Sequence, residues 1–421
     1  MNMAAGNALG YEAAPAFSAP LRFFLTAPLF GVLAGVLLLV MPELLESRWT
    51  PGALALTHLV TVGFMLTVML GAMFQILPVV AGAPIPATTG VATIVHLLMT
   101  SGAVALVWGL GIPTPDVLVA AVWLLGAGCA VFFLAASIAL LRVPITQATP
   151  RDMRFALIGL GIAIMLGLTL AMIIARGLPL PLVPLLKLHV GWAWLGGVGT
   201  LLGATAWIVV PMFQITPPYP AALTRYWAFA TFVALVLWSA TVMYGLSAIE
   251  FVIVIALVAL AGAFIGSTLA LQRRSRKSIP DITHRAFQLG LGSLTLGLLC
   301  VLVAYHSESA LWPMLSGVLV LHGGFVSVML GMLYKIVPFL AWLHLTQAGV
   351  RAPNMKKLQP DAPVRKQFIA HAVALAALLT ATISVNAWVG RIAGVLVIIE
   401  FAWLLNNMIN VIRAYRRAGS A

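Results

Sequence analysis

The chain has 421 residues, of which 62% are hydrophobic and only 8% charged, with a net charge of +13. An ordinary soluble domain carries roughly 25% charged residues, so the composition excludes a soluble fold and predicts an all-α polytopic membrane protein whose main partner is the lipid bilayer. Its two cysteines, Cys129 and Cys300, both fall in apolar stretches, which excludes a disulfide framework, a CxxC metal site and c-type haem attachment.

The first span is expected at 21–41, with no charge between Arg22 and Glu43. A hydrocarbon core about 30 Å thick needs roughly 20 such residues. Residues 1–20 lack a basic leader region and read as a cytoplasmic N-terminal segment rather than a cleaved signal. Further spans are expected at 52–80, 88–110, 116–141, 153–175, 185–213, 223–245, 249–271, 284–306, 310–343, 367–387 and 389–412. Pro84 and Pro86, Pro113 and Pro115, Pro217 and Pro218, and the basic run 273–277 punctuate the gaps. Only helices or closed barrels satisfy every backbone group in lipid, and these segments are too long for barrel strands.

The basic balance reports topology, not nucleic-acid binding. With the N-terminus cytoplasmic, 18 of the 23 basic residues fall on the inner side, and only Arg48, Arg176, Lys187 and Arg391 fall outside. The positive-inside rule therefore places both termini in the cytoplasm of a bacterial-type inner membrane.

Span two contains LGAMFQILP (70–78), span ten LGMLYKIVP (330–338), and span six a looser LGATAWIVVP (202–211). The copies lie 132 and 128 residues apart, and each follows a histidine near the outer end of its helix: His58, His189 and His322. The pattern predicts three pseudo-repeated four-helix units, 21–145, 146–277 and 278–421, the last with a basic cytoplasmic C-terminus. From histidine to repeat glycine the intervals are 13, 14 and 9 residues. His322 should thus lie about one turn deeper, roughly 6 Å at 1.5 Å per residue.

Ionisable groups inside spans are expensive and read first as functional. Imidazole is the commonest ligand for transition metals and also binds haem iron. Gly63, Gly191, Gly196, Gly197, Gly323 and Gly324, close to the three histidines, suit either a flat cofactor or close helix packing. His96 in span three and His371 early in span eleven are further candidates for a metal or a proton. His284, His306 and His344 sit near span ends, where interfacial solvation explains them, and Lys335 is expected to snorkel. Glu400 is the one carboxylate deep in a span, so it should be neutral or paired, or serve a proton relay. Met65, Met69 and Met73 below His58 suit packing, or a Cu(I) path.

Twelve spans in three four-helix units, with histidines on the outer ends of spans two, six and ten, resemble subunit I of the haem–copper oxidases and the related NnrS-type haem-and-copper membrane proteins. The resemblance implies His58 and His322 as axial ligands of a b-type haem, and matches His189 to the copper ligand of span six. It implies a role in respiratory electron transfer or in nitric-oxide- or copper-linked metabolism, with quinone or a redox protein as partner. The departures are specific. Span ten reads LHGGF without a second histidine close by, span seven has none, and the His–Pro–Glu–Val–Tyr signature is replaced by His189-Val-Gly-Trp. An oxygen-reducing binuclear centre is therefore not expected. The alternatives are a cofactor-free transporter whose histidines and Glu400 line a polar pathway, and an assembly factor that binds haem or copper without turnover.

Overall fold

A computed structural model describes residues 10–420; the earlier part of the expected N-terminal segment, residues 1–9, lies outside the described residues. Among the described residues there is no strand. Twelve helices among the described residues are long and apolar enough to cross a membrane: α1 (Ser18–Val40), α2 (Pro51–Val79), α3 (Thr88–Gly111), α4 (Pro115–Leu141), α5 (Ala148–Arg176), α6 (Leu182–Gln214), α7 (Ala221–Met243), α8 (Ser247–Arg273), α9 (Ile282–Ala304), α10 (Leu311–Gln347), α11 (Asp361–Ser384) and α12 (Ala387–Gly419). The chain is a multi-pass membrane protein. α12 continues past the expected end at 412 because Arg413, Arg416 and Arg417 keep good helix propensity, and Arg416 and Arg417 in the last turn complement its dipole.

The backbone carries the repeat in a form the residues alone did not announce. α2, α6 and α10 each switch to π-helical winding, over Leu59–Leu66, Trp192–Gly199 and Val318–Val326. Each then returns to α-helix through its repeat motif and past an internal proline, Pro78, Pro211 or Pro338. π-helical residues are well under 1% of ordinary chains, so three such stretches in register mark a true internal repeat. They also explain the histidine offset: His58 and His189 precede their π segments, whereas His322 lies inside its own. A hydroxyl residue follows each segment. Thr67 and Thr200 donate to carbonyls five residues back, Val62 and Leu195, at 3.3 and 2.7 Å. Ser327, the third of the set, turns elsewhere.

The residues group into two compact units. One holds the chain up to Pro20, Leu70–Gly102 and Leu118–Arg276; the other holds Leu21–Met69, Ala103–Val117 and the chain from Lys277 on. In the first unit, a Cβ added at Gly159 of α5 would overlap the Gly196 carbonyl of α6, so only glycine allows that approach. Trp207, Tyr219, Trp227 and Phe264 form an edge-to-face cluster there, and the Trp207 indole donates to the buried Asp152 carboxylate at 2.8 Å. In the second unit, α1 and α12 meet through paired GxxxG stretches, Gly31 with Gly35 and Gly390 with Gly394. A Cβ on Gly35 would lie 2.7 Å from the Gly394 carbonyl oxygen, and the notch at Gly31 is filled by the ring of Phe401.

Lys335 does more than snorkel. Its ammonium lies 2.5 Å from Asp281 Oδ2, which also takes Lys277 at 2.6 Å, while Asp281 Oδ1 accepts from the His284 amide at 3.0 Å and caps α9. Burial alone would raise the Asp281 carboxyl, but hydrogen bonds from Lys277 and Lys335, the Lys335 charge and the His284 amide push it down to about 2 from 3.8. A carboxyl whose value is depressed by folding stabilises the fold fully above its unfolded value and loses that contribution as pH falls through the folded one. Asp281→Asn is therefore expected to cost about 1–2 kcal/mol at neutral pH. The deficit should vanish between about pH 4 and pH 2, as read from thermal unfolding in detergent. A deficit that persists unchanged at the acid end would show that the lysine pairs are not its cause.

Candidate functional site

The middles of α10, α11 and α12, all in the second unit, bring two imidazoles and one carboxylate together. His371 and Glu400 lie well inside their helices, about 15 and 20 Å from the helix starts at 1.5 Å per residue, near the middle of a core about 30 Å thick. His322 Nε2 is 3.2 Å from Glu400 Oε1, and His371 Nδ1 is 3.0 Å from Glu400 Oε2. The two imidazole rings lean on each other with centroids 4.9 Å apart and planes inclined by 31°. His371 Nε2 is held by Ser327 Oγ at 2.7 Å. Gln367, one turn from His371, donates to the Glu400 backbone carbonyl at 3.3 Å. His322 is 5% exposed, and His371 and Glu400 are 0% exposed.

Local sequence makes this convergence possible. In the stretch LHGGF, Gly323 admits Ser293 of α9 and Leu375 of α11, and Gly324 admits Leu294. α9 and α11 are thereby drawn against the π segment that carries His322. Phe401, next to Glu400, seats against Gly31 and touches Phe64 edge-on at 4.9 Å, which fixes the rotation of α12.

Of the three repeat histidines, only His322 belongs to this group. His58 is half-buried on α2, and its Nδ1 bonds the Leu54 carbonyl at 2.7 Å. His189, in the other unit, bonds the Ala163 carbonyl of α5 through Nδ1 at 2.8 Å and packs on Gly167. Since a carbonyl only accepts, both rings carry their proton on Nδ1 and their lone pair on Nε2, the tautomer suited to ligation. His96 is half-buried in α3. The sequence marks His371 and Glu400 separately and does not show their partnership with His322. The available signal was that Glu400 is the one carboxylate deep in a span, preceded on the neighbouring helix by a buried histidine.

The donor set suits a metal ion. Each of the three residues offers a ligand atom, and these atoms all lie within 4.8 Å of one another. Metal–ligand bonds of about 2.0–2.2 Å put two donors of one ion roughly 3–4 Å apart. A porphyrin held between His58 and His322 fits less well. His58 presents the right tautomer, but His322 Nε2 lies 3.2 Å from Glu400 Oε1. The small-residue notches beside them are taken by protein, the ring of Phe30 at Gly63 and Leu294 at Gly324.

No protein-family model matches the sequence, and no curated protein matches it. The structure is similar to that of a haem–copper terminal oxidase solved as a dimer by cryo-electron microscopy, with a TM-score of 0.65 and 12% sequence identity, over 93% of this chain and 84% of that one. The fold is thus the twelve-helix fold of haem–copper oxidase subunit I. At this identity the likeness is one of fold, and the chemistry has to be argued from the residues.

Proposed function

We propose that this chain is a redox metalloprotein of a bacterial-type inner membrane, with both termini cytoplasmic, serving respiratory electron transfer or nitric-oxide- or copper-linked metabolism. The observation that supports this most is the buried His322–His371–Glu400 group inside a bundle with the haem–copper oxidase fold. Burying a carboxylate in a span costs several kcal/mol unless it is compensated, and two imidazoles converging on it are what a metal site requires. The units 21–145, 146–277 and 278–421 belong to the same reading, each second helix presenting a histidine at or just before its π segment. A b-type haem is the group that the oxidase fold brings to the proposal, and when bound it would supply one-electron chemistry. His58 and His189 have the tautomer to ligate it, and His322, the axial partner that the resemblance gives His58, has its Nε2 3.2 Å from Glu400 Oε1 and would have to leave it to bind haem iron. Quinone or a redox protein is the class of electron partner. Oxygen reduction is not expected, because α7 has no histidine and α10 has none adjacent to His322.

The test is the intact chain purified in detergent without chelators. Bound haem in a reduced-minus-oxidised visible spectrum, or about one equivalent of transition metal, with no oxygen uptake from an artificial donor, is the expected result. Protein that holds neither haem nor metal would overturn it. A cofactor-free transporter would then be the better reading, since both nitrogens of His371 have polar partners that can pass a proton.

A further inference from the structure

We infer that His322 Nε2, His371 Nδ1 and the Glu400 carboxylate form a non-haem site for a single divalent transition-metal ion, and that His322 is a ligand of this ion rather than of haem iron. The inference rests on the metalloprotein reading and sharpens it.

Two orphaned atoms carry the argument. His322 Nε2 and Glu400 Oε1 are both sealed from solvent and only 3.2 Å apart, yet neither makes a hydrogen bond, because they meet off the hydrogen-bonding direction. Leaving a buried polar group unsatisfied costs about 1–3 kcal/mol, and more for a charged one. An ion bound by both lone pairs removes that cost at both atoms at once.

The surroundings of His371 point the same way. Metal-bound imidazoles almost always have the ring nitrogen away from the metal held by an outer partner, which sets the tautomer. Ser327 Oγ performs that task for His371 Nε2 at 2.7 Å, while Nδ1, which donates to Glu400 Oε2 at 3.0 Å in the metal-free protein, gives up that proton when it ligates the ion. Ser327 is also the repeat counterpart of Thr67 and Thr200, whose hydroxyls bond their own helices across the π segment. In the third repeat alone the hydroxyl is diverted to a histidine on another helix. A residue that served only to complete the helix would have no reason to depart from the pattern.

The donor set selects the class of ion. Two imidazoles and a carboxylate, with no thiolate or thioether among the donors, suit iron(II), manganese(II) or zinc(II) and disfavour copper(I). Two histidines and one carboxylate also leave coordination positions open, as in non-haem iron sites.

The full-length protein in detergent, stripped with a chelator, would be titrated anaerobically with iron(II), manganese(II), zinc(II) and copper(I), and with cobalt(II) as a spectroscopic probe. One divalent ion per chain should be retained through desalting, with cobalt(II) giving ligand-field bands of an N/O site and copper(I) failing to compete. Glu400→Gln and His371→Ala should each weaken binding by more than about 100-fold, and Ser327→Ala by roughly 10-fold, as loss of an outer partner does. His306→Ala, at an exposed span end, should leave it unchanged. Retention of the ion by both Glu400→Gln and His371→Ala would overturn the site. Should a variant misfold, the wild-type cobalt spectrum decides alone, because absence of a one-to-one N/O spectrum would also overturn it. Haem extracted from the same samples keeps the two readings apart. Haem lost in His322→Ala, with no ion bound by the wild type, defeats the inference and leaves the metalloprotein reading intact. Neither haem nor ion in the wild type defeats both.

Discussion

Replacing Gly394 with leucine should prevent the second unit from closing, with a loss of about 3 kcal/mol or more and poor recovery of monodisperse protein. At this crossing α1 and α12 touch backbone to backbone. A Cβ on Gly394 would lie 2.6 Å from the Leu39 amide nitrogen and 2.8 Å from the Gly35 carbonyl oxygen. Backbone atoms cannot rotate aside as the end of a side chain can, so the helices must separate. Separation moves Phe401 out of the notch at Gly31 and carries Glu400, its neighbour in sequence, away from the two histidines. The variant should therefore lose thermal stability and, with it, whatever the buried group binds. Gly262→Leu is the control, since a Cβ on Gly262 of α8 meets nothing within 4 Å. Size-exclusion profiles and unfolding midpoints in detergent report both outcomes, and a Gly394→Leu protein as stable as Gly262→Leu would refute the close packing.

The second large effect is expected at His371, where the direction of change separates charge from shape. His371→Leu removes a partner 3.0 Å from Glu400 Oε2 and leaves a fully buried carboxylate short of compensation. Breaking a buried pair from one side typically costs about 3–5 kcal/mol, because the remaining charge stays desolvated. Glu400→Gln keeps the shape of the side chain and removes its charge, so alone it should cost only about 1–2 kcal/mol. Combining the two should recover much of the loss caused by His371→Leu, giving a coupling energy of about 1–3 kcal/mol in a double-mutant cycle. Strictly additive losses in metal-free protein would mean that Glu400 carries no charge for His371 to balance.

Membrane insertion, the twelve helices and their repeat were legible in the residues because they depend on short-range quantities. Span length follows from apolar runs set against the thickness of the bilayer, and helical character follows from the need to satisfy every backbone group in lipid. The three copies of the LG…P motif, with a histidine ahead of each, identified α2, α6 and α10 as counterparts. Their π segments were not legible, since the one-residue slip of the hydrogen-bond ladder has no fixed composition. The segments end in Leu66, Gly199 and Val326, which share no residue type.

The candidate site was beyond the sequence for a related reason. His322, His371 and Glu400 are separated by 49 and 29 residues, and the helix segments of His322 and His371 have almost no amphipathic stripe to say which face turns inward. In a soluble protein the polar face of a helix marks its rotation; in a bundle that is apolar all round, rotation is set by packing. Here that packing consists of Gly394 against Gly35, Phe401 in the notch of Gly31, and Ser293 and Leu294 in those of Gly323 and Gly324. Apolar runs of span length are enough to specify twelve membrane-crossing helices and histidines inside them that need partners. Which partners those are depends on helix rotation, which is fixed by contacts between residues far apart in the chain and aims each side chain.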